Sequence, residues 1–433
     1  MNTGFLLEWS LFMKQQHYDL IVAGGGFAGT AAAIAAARQG LQVLLFDKGN
    51  ALGGAANCNL VMPFMRHHTT VNQKRFFLCR GIFAEIKHEM EVLGGCQNDR
   101  TFHDEILKLV LNRMAKDARV TLLFGVYLTG VKQENGSIQS LSLSGVSGSF
   151  SLSADSFIDA TGDGALSVLA GCEAQLGRLP DHLCQPMTLC FRVANINMDL
   201  FEKQAPEINP LYQKWQQEGK IKNPREDVLR FHTLIPGVLH FNTTRIVKKN
   251  PTDPFDKTEA EIEAREQVFE VFSFLKENFS AFAHSEICST AAEIGVRESR
   301  MIAGRYQLTE EDLKNCVKFP DAIAAGNYDI DIHNPEGSGT SHYYFADGTW
   351  YTIPYRCLLP VGCSNLLVTG RCISATHEAQ ASIRIMPIVC CLGEAAGIGA
   401  AVAKKQNTTP DQADVTAIQR CITENGGFTG LLS

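Results

Sequence analysis

The chain has 433 residues, 45% hydrophobic and 20% charged, a balance that excludes disordered and fibrous classes and allows two domains or one large core with an insertion. A net charge of −7 offers no attraction to a polyanion, so nucleic acid is not an expected partner. Fourteen cysteines without a CxxC pair read as reduced thiols of a cytoplasmic protein, with no metal set expected, and no apolar run reaches the eighteen or so residues of a membrane span.

The first twelve residues, MNTGFLLEWSLF, are apolar but lack a cationic leader and a cleavage site, so no signal peptide is expected. Met13 leads directly into the first strand and reads as an alternative start; residues 1–12 are expected to be poorly tied down. Residues 18–23 predict a short apolar strand, 24–29 a glycine turn, 30–39 an alanine-rich helix and 41–46 a second strand. This β-α-β unit implies a parallel sheet. Residues 57–105 look like an excursion from that sheet. A helix is predicted over 104–118, then β runs over 120–128, 137–143 and 149–153, set off by Asn135-Gly136 and Gly148, as in a meander. Residues 157–160 return as a buried strand. From 184 to 351 prolines, aromatics and charges become frequent, with one long helix over 256–278. Strand character resumes at 365–369, followed by a helix from Pro387 to about Lys404 and a last helix over 414–425. The expected fold is therefore α/β: a Rossmann-like domain with a parallel sheet and a β-meander, formed by residues 14–183 and 352–433, interrupted by an inserted α+β domain, 184–351, that caps it and shapes a substrate pocket.

The strongest motif is Gly24-Gly25-Gly26-Phe27-Ala28-Gly29, a G-x-G-x-x-G between a strand and a helix. Gly24 permits the tight turn, Gly26 lets the backbone approach a pyrophosphate, and Gly29 lets the helix pack on the strand. The pyrophosphate would lie on the helix N-terminus, with Phe27 and Ala28 in its first turn. Asp47, beside Lys48 at the end of the second strand, is placed to accept from the adenosine ribose. This fingerprint alone does not separate FAD from NAD.

Leu52-Gly53-Gly54, then Asp159-Ala160-Thr161-Gly162-Asp163-Gly164, then Asn365-Leu366-Leu367-Val368-Thr369-Gly370-Arg371 together resemble FAD enzymes with the glutathione-reductase type of dinucleotide fold. The resemblance implies FAD, with Gly53, Gly54, Ala160, Thr161, Gly162, Asp163, Gly370 and Arg371 around it. It also implies a helix whose N-terminus, at Met386 and Pro387, faces the flavin pyrimidine. The runs Gly295-Val296-Arg297-Glu298-Ser299-Arg300, Gly304-Arg305-Tyr306-Gln307-Leu308-Thr309, Ile353-Pro354-Tyr355-Arg356, His377-Glu378-Ala379 and Ser382-Ile383-Arg384-Ile385-Met386-Pro387 narrow this to a resemblance to the broad bacterial FAD-dependent oxidoreductase family. That resemblance supplies a fold and a cofactor but no substrate.

Cys58 follows the glycine pair where disulfide reductases carry a redox-active pair, but Pro63 stands at the partner position, so a core thiol is expected. His67 and His68 read as solvated loop residues. Arg297, Arg300, Arg356, Arg371 and Arg384 are candidates for anion contacts, with ion pairs to neighbours such as Glu298 or Glu378 as the alternative. His377 and Glu378 lie in a presumed loop between Gly370 and Pro387, and with Arg384 are the catalytic candidates. A histidine there can move a proton while hydride passes to flavin, or it can simply order the loop. His333, His342 and Tyr355 are weaker candidates.

The expected function is FAD-dependent hydride transfer between flavin N5 and a small-molecule substrate, in either direction, with an unidentified electron acceptor. The opening glycine motif also resembles tRNA-uridine-modifying flavoproteins, which need a basic surface. A non-enzymatic flavin electron carrier, lacking a closed pocket, is the third possibility.

Overall fold

The computed structural model describes residues 17–432, so the expectation for residues 1–12 lies outside the described residues. The chain opens with β1 (His17–Ala23), α1 (Phe27–Arg38) and β2 (Val43–Asp47). The stretch expected to leave the sheet forms two small hairpins and α2 (Ile82–Val92). Then come α3 (Asp104–Asp117), β3 (Thr121–Phe124), β4 (Tyr127–Glu134), β5 (Ser137–Gly145) and β6 (Gly148–Asp159). The sheet order is β3-β2-β1-β6-β5-β4, and β11 (Leu366–Val368) pairs parallel with β6.

β6 joins the two halves of this sheet. Its first residues pair antiparallel with β5, while Ser153 to Asp159 run parallel to β1. The sequence separates 149–153 from 157–160; the structure makes them one strand because Ser151, Ala154 and Phe157 keep their ladders unbroken across the change of partner. Conversely, the run at 120–128 divides into β3, on the parallel edge, and β4, in the meander. In β1, Leu20 and Val22 enter one hydrophobic core and Ile21 and Ala23 another on the opposite face. A strand covered on both faces reads as a continuous apolar run for this reason.

The first core lies between the sheet and α1, α2, α3 and α7 (Met386–Lys405). α7 runs directly along α1. A Cβ on Gly393 would lie 1.9 Å from Ala28 O, and one on Gly397 2.1 Å from Ala32 O. Only glycine permits this backbone approach. By length and composition α7 would also pass for a membrane span, which corrects the expectation that no such run exists. All of its apolar window is buried inside the protein, so its hydrophobicity is that of a core helix.

A second core gathers Met187 through Ile294, with Leu60. It holds β7 (Phe191–Ala194), α4 (Met198–Gln217), β8 (Arg230–His232), β9 (Leu239–Phe241), α5 (Pro254–Asn278) and β10 (Glu286–Thr290), the strands in the order β8-β9-β7-β10. Asp253 caps α5 through the Phe255 and Asp256 amides, so the helix begins slightly before the residue its pattern suggested. Leu308 to Leu359 pack into the first core, not the second. The chain ends through α6 (His377–Ile383), α7 and α8 (Val415–Glu424).

Candidate active site

The glycines of the first turn divide into two physical kinds. A Cβ on Gly24, at φ +100°, would lie 2.4 Å from Ala160 O, and one on Gly29 would lie 1.9 Å from Gly24 O. These two permit packing of turn on strand and helix on turn. A Cβ on Gly26 would meet nothing nearer than Gly54 Cα at 4.0 Å. Gly26 therefore faces open space at the helix end, where a pyrophosphate belongs. The Gly53 amide donates to Gly25 O at 2.8 Å, and a Cβ on Gly54 would lie 2.8 Å from Gly26 Cα, so the glycine pair forms the neighbouring wall of this cradle.

Two helices end here without a side-chain cap or an acidic first turn: α1, behind Gly26, with Phe27 and Ala28 in its first turn, and α7, behind Ile385, with Met386 and Pro387 in its first turn. Their free amides and helix dipoles suit anionic or electron-rich groups. Gly370, at φ +86°, packs close to Ala28, which brings the end of β11 against the start of α1. The open cradle at Gly26 and these two uncapped termini fit a dinucleotide of the FAD kind.

The charged candidates are used differently. Asp47 accepts from the amides of Gly25 and Gly49, both at 2.6 Å, which fixes it beside the cradle; a carboxylate has further lone-pair sites for a ribose. Lys48 is paired to Glu293 at 2.8 Å, tying β2 to the inserted segment. Arg371 donates to Gly162 O at 3.0 Å, Val296 O at 2.5 Å and Asp163 Oδ1 at 2.5 Å. It is a strut between three segments. Burial alone would raise the Asp163 pKa, but Arg371 and the Ser299 hydroxyl outweigh it and hold the carboxyl below its usual range. Buried Asp159 accepts from the Thr161 and Ser167 amides and hydroxyls. It thereby shapes the Ala160-Thr161-Gly162 turn.

The interval between Gly370 and Pro387 is not all loop. Thr376 caps α6 by accepting from the Ala379 amide, and a helical turn orients His377. His377 is buried, and its Nδ1 lies 2.8 Å from Oε1 of the fully buried Glu298. Glu298 Oε2 accepts from the Gln185 amide at 2.8 Å. A carboxylate on Nδ1 holds a proton there, leaving Nε2 as the acceptor. No described residue bonds Nε2, and it is not among the sealed polar atoms. Glu378, expected beside His377, is not brought to it. It lies in the first turn of α6, where its charge suits the helix dipole. The sequence names Glu298 only as an arginine partner; no local spacing relates it to a residue 79 positions away.

Arg384 ends α6. Its Nη2 lies 3.4 Å from both Asp331 O and Oδ2, and its Nε has no partner. Arg356 pairs with Asp321. The Tyr355 hydroxyl donates to Pro410 O, and His342 pairs with Asp329. His67 is not solvated: it is buried against Phe77 and Phe83, and burial pulls its pKa down to about 4. Burial first, then the charges of Asp47 and Glu293, push the Cys58 pKa up, so it is a protonated thiol at neutral pH. No group of three or more His, Cys, Asp or Glu side chains suited to a metal occurs among the described residues.

Comparison with known proteins completes the picture. A family model described as FAD dependent oxidoreductase matches residues 19–422. A vinyl phenol reductase of Lactiplantibacillus plantarum is 52% identical over 44 residues, which is 10% of this chain and 9% of that protein. An L-proline dehydrogenase from P. horikoshii superposes with TM-score 0.47 at 11% identity, covering 96% of this chain and 100% of that one. A geranylgeranyl bacteriochlorophyll reductase-like protein from Thermoplasma acidophilum gives 0.46 at 12% identity, covering 95% and 83%. With the family match spanning nearly all of the described chain, and a glycine cradle and two uncapped helices that fit FAD, the protein belongs to the FAD-dependent oxidoreductase family.

Proposed function

We propose that this oxidoreductase exchanges a hydride between FAD and a small-molecule substrate, with His377 handling the accompanying proton and an unidentified acceptor or donor closing the cycle. The observation that carries this reading is the His377–Glu298 pair, 2.8 Å apart and buried, with Nε2 left unbonded. When bound, FAD supplies two-electron chemistry that the side chains lack. The cradle of Gly24, Gly26, Gly29, Gly53 and Gly54 would hold its pyrophosphate region, with Asp47 at the ribose. Thr161, Gly162, Asp163 and Gly370 would border its middle, and the first turn of α7 its ring system. His377 holds or accepts a proton at Nε2, Glu298 stabilises the charge that results, and the buried setting keeps water from competing.

Reduction of an activated double bond is the direction suggested by the vinyl phenol reductase relative, although the match spans only 9% of that protein. Anaerobic screening of FAD-loaded protein for substrates that bleach the flavin, and of pre-reduced protein for acceptors that restore it, tests the function. A protein that releases no FAD on denaturation and binds none when it is added would overturn it.

A further inference from the structure

Behind Arg384 lies a group of arginines with no part in the proton handling at His377. Arg225 and Arg245 are buried and come from the inserted segment. Arg225 Nη1 and Arg245 Nη2 reach His333 Nδ1 at 3.5 and 3.2 Å. Arginine can only donate, so His333 Nδ1 accepts and its Nε2 carries the proton, toward Asp331 Oδ2 at 3.5 Å. Burial and the nearby guanidinium of Arg297 keep this histidine neutral.

These cations are not equally compensated. Arg225 is paired with Asp227 at 2.6 Å and Arg245 with Glu226 at 3.1 Å. Arg384 has only the long 3.4 Å approaches to Asp331. Arg297 has no carboxylate on it: it donates to Pro186 O at 2.7 Å, Thr188 Oγ1 at 2.6 Å and Asn242 Oδ1 at 3.3 Å. Three of the four guanidiniums thus have a contacting carboxylate, Glu226, Asp227 or Asp331, while Asp329 is engaged by His342 at 2.6 Å. Arg297 has none in contact, because the buried carboxylate beside it in the chain, Glu298, is turned to His377 and the Gln185 amide. A buried unpaired charge is costly and is retained where something pairs with it. Burial, reinforced by Arg384, lowers the Arg297 pKa to about 9, so it stays a cation at neutral pH. Polar atoms of the Arg384–Asp331 pair are also unsatisfied: Arg384 Nε and Asp331 Oδ1 lack hydrogen-bond partners.

The arrangement points toward His377. On α6, His377, Gln380 and Arg384 follow at i, i+3 and i+7 and share one face. Gln380 Nε2 donates to the backbone carbonyl of Arg297 at 2.9 Å and its Oε1 accepts from Gln185, which brings Arg297 to that face. Arg297 and Arg384 are both partly buried and keep some accessible surface. The helical rise puts Arg384 about 10 Å along the axis from His377.

We infer that Arg297 and Arg384 bind one carboxylate of the substrate, so that the enzyme acts on a monocarboxylic acid whose reacting carbon lies toward His377. This rests on the hydride-transfer reading above. The guanidinium without a contacting carboxylate, Arg297, beside the loosely held Arg384, suits one carboxylate group, and a planar guanidinium matches a carboxylate bidentately.

The test titrates FAD-loaded protein with benzoate and trans-cinnamate, and with benzamide and cinnamamide as uncharged counterparts. Binding is read from the perturbed flavin absorption and by calorimetry. At least one carboxylate is expected to bind about 10- to 100-fold more tightly than its amide. Arg297→Met and Arg384→Gln should remove that preference with FAD content unchanged. Arg297→Lys keeps the charge and loses the fork. It should keep the wild-type Tm and weaken carboxylate binding by about tenfold, which separates recognition from folding. Carboxylates that bind no better than their amides, or a preference that survives in Arg297→Met, would overturn the inference. His377→Ala should keep the preference, so a failure of His377 as the proton-handling group is distinguishable from a failure of this site.

Discussion

Glu298 Oε1 lies 2.8 Å from His377 Nδ1, both side chains buried, and among the described residues no other carboxylate pairs with that nitrogen. Removing the imidazole should lower the rate of hydride exchange between substrate and flavin, in either direction, about 10²- to 10⁴-fold, the usual scale of general acid–base catalysis. His377→Ala should nevertheless keep its FAD and its visible spectrum. Glu298→Gln is expected to be slower as well, because an amide that accepts from the imidazole turns its NH₂ toward the Gln185 amide, two donors facing each other. Stopped-flow reduction under anaerobic conditions measures both; an unaltered rate in fully loaded His377→Ala would exclude the histidine.

The two kinds of glycine should fail differently. Gly26→Val adds a side chain to open space and occupies the cradle. It should fold, with a thermal transition near that of wild-type apoprotein, and release no FAD. Gly29→Ala puts a methyl 1.9 Å from Gly24 O, so the turn itself must move, and a lowered Tm should accompany the loss of cofactor. Full FAD content in Gly26→Val would show that the pyrophosphate lies elsewhere.

Cys58 has no partner thiol at disulfide-reductase spacing, and its environment favours the protonated form. Cys58→Ser should therefore reduce its flavin and turn over at rates within about twofold of wild type, as expected of a thiol outside the chemistry. Lost turnover at normal FAD content would assign it a role.

Glu394, inside α7, has its pKa pushed up to about 7 by burial, against an ordinary 4.5, although its carboxylate accepts from the Ile82 amide. The folded state therefore prefers the protonated form. Its contribution to stability is whole below pH 4.5, falls as pH rises from there through about 7, and is then lost. The fall is on the order of 3 kcal/mol at most. Glu394→Gln keeps an acceptor for Ile82 and cannot ionise. Denaturant melts should show it gaining stability on wild type between pH 5 and 8, by about 1 kcal/mol or more; parallel pH profiles would count against the buried proton.

Much of the nucleotide-binding half is legible from local pattern. A strand, a glycine turn and a helix in succession constrain one another over a few residues, so the cradle at Gly24, Gly26 and Gly29 and the parallel pairing of β1 with β2 follow from spacing and sterics. The continuity of β6 is less legible, because its serine-rich middle changes partner, from β5 to β1, without breaking the ladder. The turn that makes His377 helical is hidden too: Thr376 caps it, but seven residues are too few for a clear periodicity.

The sequence by itself determined the dinucleotide cradle, since it depends on residues close together in the chain, and the FAD class through a resemblance carried by motifs at 52–54, 159–164 and 365–371. Only the tertiary structure decided which carboxylate orients His377, that Lys48 and Arg371 serve as struts, and that Arg225 and Arg245 meet His333 across 108 and 88 positions. The physical reason is that a charged side chain takes the partner folding brings within about 3 Å, and in a sheet with a long insertion those partners come from segments with no fixed spacing along the chain.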